Sequence, residues 1–242
     1  VIQPLTMTDM LLPRPCVFLQ RCCVVALLCT ASVPSMADVW PRHTPRAEVP
    51  SALQSSLPAQ AECRAFLEFA SVPDVALALC RGVGTADPLE WTVLAVETSK
   101  AGPWKTRRIT SMGEAYSADL QGFTAPLGCR DGGDKAACVK ALVLVDHAAE
   151  FCWGTEVIAL TTTRGFVRIG ELAEVVPADD SERCVSPVAR VHGPSNAPRI
   201  TLPAPLLRTA KDGSGIPVKA RAVTYRVTAP GPGLQRQAGR GD

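Results

Sequence analysis

The sequence predicts a mainly β fold, an antiparallel sandwich or barrel-like domain with one or two short helices, stabilised by disulfides. Three observations carry this reading. Short runs with period-two alternation recur along the chain, separated by turns that contain Gly or Pro. Strands do not alternate regularly with long helices, which argues against a doubly wound α/β architecture. Six cysteines remain once the amino-terminal segment is set aside, an even number of the kind that staples exported domains.

The chain has 242 residues, of which 47% are apolar and only 5% aromatic. That length allows one domain or two small ones, with enough apolar side chains for a sizeable core.

Residues 1–37 read as a secretory signal peptide. Arg14 and Arg21 supply positive charge, and Cys22 to Thr30 form a short apolar run. Pro34 ends any helix, and Ser35 and Ala37 set the small-residue pattern for cleavage after Ala37. The run is too short to span a bilayer of roughly 30 Å. Leu28, where a small residue is required, argues against lipidation of Cys29. No later apolar run approaches the about 18 residues of a membrane span, so no span is expected after signal removal. Removing Arg14, Arg21 and Asp9 turns 25 basic and 23 acidic residues into 23 and 22. That near-neutral balance argues against nucleic acid as a partner. Arg outnumbers Lys 19 to 6, a bias that fits a GC-rich bacterial genome and an exported, periplasmic or secreted, protein.

Residues 38–60 carry Pro41, Pro45, Pro50 and Pro58 and read as a weakly packed Pro-rich leader. The single β-rich domain is expected over 61–228. The Gly- and Pro-rich stretch 229–242 reads as a disordered tail. Within the domain, Ala61 to Arg81 holds two alternating runs around Ser71-Val72-Pro73-Asp74, a hairpin pattern. If Phe69 faces Asp74, Cys63 lies directly opposite Cys80, a position suited to a disulfide. The alternative for 61–70 is an amphipathic helix, and 114–121 is a second place for a short one. Cys129 and Cys138 flank a loop with two glycines and form the second expected bridge. Cys152 and Cys184 then pair by elimination. Further strands are expected at Trp91–Thr98, Lys105–Ser111, Lys140–Asp146, Glu156–Thr162, Phe166–Val176, Val188–His192, Arg199–Leu202 and Val218–Thr228. The strongly apolar Lys140–Asp146 reads as a central strand.

Motifs for chemistry are weak, so no catalytic, cofactor-binding or metal residue is assigned and no cofactor is expected. G-x-S-x-G is absent, and Ser214 in Asp-Gly-Ser-Gly belongs first to a turn. No cysteine pair has zinc spacing, and three histidines are too scattered to complete a site. Asp131 and Asp134 offer too few oxygens for calcium. Asp146 and His147 are adjacent in a strand and therefore point to opposite faces. The only acid–base candidates are His147, Glu150 and Asp179. Asp179-Asp180-Ser181-Glu182 reads as a solvated loop. Lys105, Arg107 and Arg108 follow Trp104 on a basic strand, suited either to a polyanionic ligand or to blocking a sheet edge. The closing Arg240-Gly241-Asp242 is short enough to arise by chance. Together these features favour a non-enzymatic binding or inhibitor-type module whose partner is another protein or a cell-envelope component. A hydrolase with a dispersed site and an accessory subunit of an envelope assembly are the alternatives.

Overall fold

Two runs that are apolar on both faces, Val72–Arg81 and Val139–Ala148, set the layering. A strand with one polar face can lie at the surface, whereas one buried on both faces must be covered twice. Four sheets result, all antiparallel. Sheet I has the order β2 (Glu62–Phe69), β3 (Val72–Arg81), β4 (Trp91–Glu97), β5 (Lys105–Met112). Sheet II runs β1 (Arg42–His43), β6 (Ala118–Thr124), β7 (Val139–Ala148), β8 (Trp153–Thr161), β9 (Gly165–Leu172). Sheet III runs β11 (Arg190–His192), β12 (Arg199–Leu202), β15 (Val223–Thr228), β16 (Gly233–Gln237). Sheet IV is small, with β10 (Glu182–Cys184), β13 (Leu206–Thr209) and β14 (Gly215–Pro217). This computed structural model describes residues 39–84, 90–97, 104–113, 115, 117–126, 138–148, 153–162, 165–172, 182–184, 188–202, 206–209, 211–212, 214–217, 223–228 and 233–237. At 153, 182–184, 206–209 and 216–217 it describes the backbone alone.

Sheet II is the middle layer. Ala141, Val143, Val145, Ile158, Leu160 and Phe166 pack against Leu67, Phe69, Leu77, Leu79 and Val93 of sheet I. On its other face, Leu142, Leu144, Val157 and Ala159 pack against Val191, Ile200, Tyr225 and Val227 of sheet III. The outer face of sheet I is covered as well. Leu53, on the short helix α1 (Ser51–Gln54), packs with Phe66, Ala76, Ala78, Leu94 and Val96. Each fully buried Val, Leu, Ile or Phe side chain contributes roughly 1.5–3 kcal/mol.

One extended segment laces the three layers. Val39 bridges His192 of sheet III, and the Trp40 amide donates to the Val191 carbonyl at 2.9 Å. Arg42 and His43 then pair with Phe123 and Gly122 in sheet II. Arg46 exchanges backbone bonds with Phe66 in sheet I at 2.9 and 2.8 Å. Trp40 is 2% exposed, with its indole N–H on the Gly193 carbonyl.

The mainly β, antiparallel, sandwich-like fold agrees with the sequence reading, and so does the Cys63–Cys80 disulfide. Cys138 is also disulfide-bonded, while Cys129 and Cys152 lie outside the described residues, and at Cys184 the backbone alone is described. Several details differ. Glu62–Phe69 and Ala118–Thr124 form strands β2 and β6, in stretches where the sequence also allows short helices, because apolar contacts are available on alternate sides. The described helix lies instead at Ser51–Gln54. The 38–60 segment packs closely at Trp40 and Leu53 rather than weakly. Residues 233–237, in the stretch expected to be a disordered tail, form β16 along β15. The β2–β3 turn is Ala70-Ser71, and Pro73-Asp74 forms a bulge in which Asp74 takes φ 68°.

Candidate functional site

The residues singled out from sequence are mostly occupied by structural tasks. Asp146 and His147 do point to opposite sides of β7, pairing with Thr155 and Gly154 respectively. Asp146 is 1% exposed, and both its oxygens are taken. Thr155 Oγ1 donates to Oδ1 at 2.7 Å, and Gln121 Nε2 donates to Oδ2. Burial pushes this carboxyl up to about 6, with Asp119 adding to the rise, against the lowering effect of the Thr155 and Gln121 bonds and of Arg42. The arrangement stores a carboxyl inside the sandwich rather than presenting it to a substrate. The His147 imidazole is half-buried and lies against Gly154, where a Cβ would collide with it. Glu150 and Asp179, its possible companions, lie outside the described residues, as do Asp131 and Asp134. Ser214 donates both its amide and its hydroxyl to Asp212 Oδ1, at 2.9 and 2.6 Å, which is turn chemistry and holds the Asp212 carboxyl below its ordinary range. Among the described residues, no group of three or more His, Cys, Asp or Glu side chains converges.

The basic strand is similarly committed. Lys105, Arg107 and Arg108 lie on β5, an edge of sheet I. Arg107 reaches across the sandwich to donate to the Phe166 carbonyl, and Arg108 donates to that of Val83, each at 2.7 Å. Trp104 stacks on Phe66 with 6.0 Å between ring centroids. This is a charged, bulged edge closed to further pairing. Other arginines of this half are also partnered. Arg64 and Arg81 hold Glu62, whose carboxyl they lower, Arg81 most strongly. Arg46 pairs with Glu68, and Arg168 with Glu156 and Glu171.

Sheet III breaks this pattern. Its strands read RVH, RITL, VTYRVT and GLQRQ, with no acidic residue among them. Alternation turns Val191, Ile200, Tyr225 and Val227 into the core. The opposite face carries exposed Arg190, Arg199, Arg226 and Gln235, and on it the antiparallel register builds two rows across the sheet. Val39, His192, Arg199, Arg226 and Gln235 form the first. Arg190, Thr201, Thr224 and Gln237 form the second. His192 Nε2 and Thr201 Oγ1 lie 3.0 Å apart, and the two threonine hydroxyls 3.2 Å, so a hydrogen-bonded ladder stiffens the face. Arg190, Arg199 and Arg226 are exposed and make no ion pair among the described residues. Guanidinium groups left without an ion-pair partner at the surface are suited to carboxylate, sulfate or phosphate oxygens.

Sequence reasoning did not find this face. The alternation in Val218–Thr228 already put Thr224 and Arg226 on one side, but the register that sets Arg226 beside Arg199 is a long-range property. No protein-family model, curated protein or solved structure matches this chain. Among the described residues, no helix is long and apolar enough to cross a membrane.

Proposed function

We propose that this chain is an exported, non-enzymatic binding module that takes an anionic partner on the open face of sheet III. The observation that carries the proposal is the direct cross-strand pairing of Arg199 with Arg226, beside exposed Arg190 and without a neighbouring acid in the sheet. Like charges placed opposite one another destabilise a sheet. An anion bridging them removes that repulsion, so the face is better satisfied when bound.

Export is supported by the apolar leader with its Pro34 and Ser35-x-Ala37 ending, together with the Cys63–Cys80 link. Disulfides persist in oxidising compartments such as the bacterial periplasm. Intact-mass measurement from the native host, with and without reduction, tests this part; a chain beginning at Asp38 and carrying disulfides is the expected product. Binding is tested on a panel of anionic polymers, comparing the native protein with a double variant, Arg199→Glu plus Arg226→Glu. Salt-sensitive binding to one or more polymers, lost in the variant, is expected. Absence of binding to every polymer, or equal binding by the variant, overturns the proposal.

A further inference from the structure

The open face of sheet III has an apolar margin as well as a cationic centre. Among the described residues, the exposed large hydrophobic side chains are Val39, at 55%, and Val188, at 56%. Both lie at the β11 side of this sheet. Val39 bridges His192 in antiparallel register, which puts the two side chains on the same face. Val188 precedes buried Ala189 and exposed Arg190. From Val39 the first row runs through His192 and the two arginines to Gln235, so it grades from apolar through cationic to neutral polar.

This gradient identifies the class of partner. Resting on the anion-binding reading above, we infer that the occupant is an acidic polypeptide segment that also carries apolar side chains. Single-stranded nucleic-acid recognition draws on phosphate contacts together with aromatic stacking. The one Phe, Tyr or Trp in the strands of sheet III, Tyr225, faces the core, and the imidazole of His192 on the outer face is tied to Thr201. A lipid surface calls for larger inserting side chains such as Trp, Phe or Leu, and the exposed pair here is two valines. A polypeptide uses both halves of the surface. Its acidic residues at helical i,i+4 spacing carry Cβ atoms about 5–6 Å apart, which matches the roughly 4.5–5.5 Å between Cβ atoms of directly opposed cross-strand residues such as Arg199 and Arg226. Its apolar side chains cover the valines.

The test uses the purified protein and five defined probes: a synthetic Glu/Leu peptide, polyglutamate with the same number of carboxylates, heparin, a phosphodiester oligonucleotide, and phosphatidylglycerol vesicles. The Glu/Leu peptide is expected to bind about tenfold more tightly than polyglutamate, and more tightly than the other three. Val39→Ser with Val188→Ser should reduce its affinity to that of polyglutamate. Both positions are exposed, so the fold should be retained, as circular dichroism would confirm. Equal or tighter binding by heparin, the oligonucleotide or the vesicles overturns this inference while leaving the anion-binding reading intact. Unchanged peptide affinity in the double serine variant overturns it as well. If none of the five probes binds, both fall together.

Discussion

Arg199 and Arg226 stand directly opposite each other on β12 and β15, with His192 and Gln235 completing their row. An opposed pair of cations is a choice against stability, so stability and binding should separate on mutation. Arg199→Glu replaces the repulsion with a cross-strand ion pair to Arg226. It should raise stability by about 0.2–1 kcal/mol while removing affinity for anionic probes. Thermal melts at low and high salt, run beside a binding titration, check this. A gain that disappears with salt is expected, because both groups are exposed.

Asp146 makes the stability of the sandwich depend on pH. Its folded carboxyl is raised to about 6 from an ordinary 3.8, so the folded state holds its proton more tightly than the unfolded chain does. Its contribution is therefore fully present below the unfolded value and is lost as pH rises through about 6. Asp146→Asn removes the buried charge. The new amide oxygen still accepts from Thr155, and the Gln121 amide can turn over to accept from the new amide nitrogen. The variant should gain about 1–2 kcal/mol at neutral pH, with little change at pH near 4. Urea midpoints measured across that range provide the check; a variant less stable than native at neutral pH would contradict the assignment.

The fold was legible where physical signals are local. Alternation in Val223–Thr228 and the apolar runs in Trp91–Glu97 and β7 gave strands in the right places. The Cys63–Cys80 pair was legible too, although by a partly mistaken route. The turn is tighter than expected and the ladder carries two irregularities, at Cys63/Ala65 and Glu68/Phe69, which together restore the register at the cysteines. β16 was missed because Gly233–Gln237 is mostly polar and gains its strand identity from pairing with β15. The three-layer packing and the cationic face depend on which strands meet, which no local pattern encodes.

The Cys63–Cys80 link closes a hairpin with a sequence separation of 17 residues. Replacing both cysteines by Ala should cost about 3 kcal/mol, mainly by freeing the unfolded chain. Because β2–β3 carries Leu53 and Phe66 packing on its outer face, the loss should appear in one cooperative transition rather than as local fraying. Denaturant midpoints for the native protein and the double variant test this. Equal midpoints would mean that packing alone specifies the hairpin.

Gly122 on β6 is a point of close approach between sheets I and II. A Cβ there would come within 2.8 Å of Leu67 Cδ2 and 2.9 Å of Phe69 Cε1, both inside the packed interface. Neither neighbour has free space to retreat into, since Leu67 is 0% and Phe69 2% exposed. Gly122→Ala should therefore destabilise the protein by about 1–3 kcal/mol through overpacking, despite the better strand propensity of Ala. Pairing it with Leu67→Ala provides room for the methyl group. If the clash is the cause, the double variant should lose less than the sum of the two single variants, a coupling that a double-mutant cycle measures directly. Strict additivity would place the cost in the backbone of β6 instead.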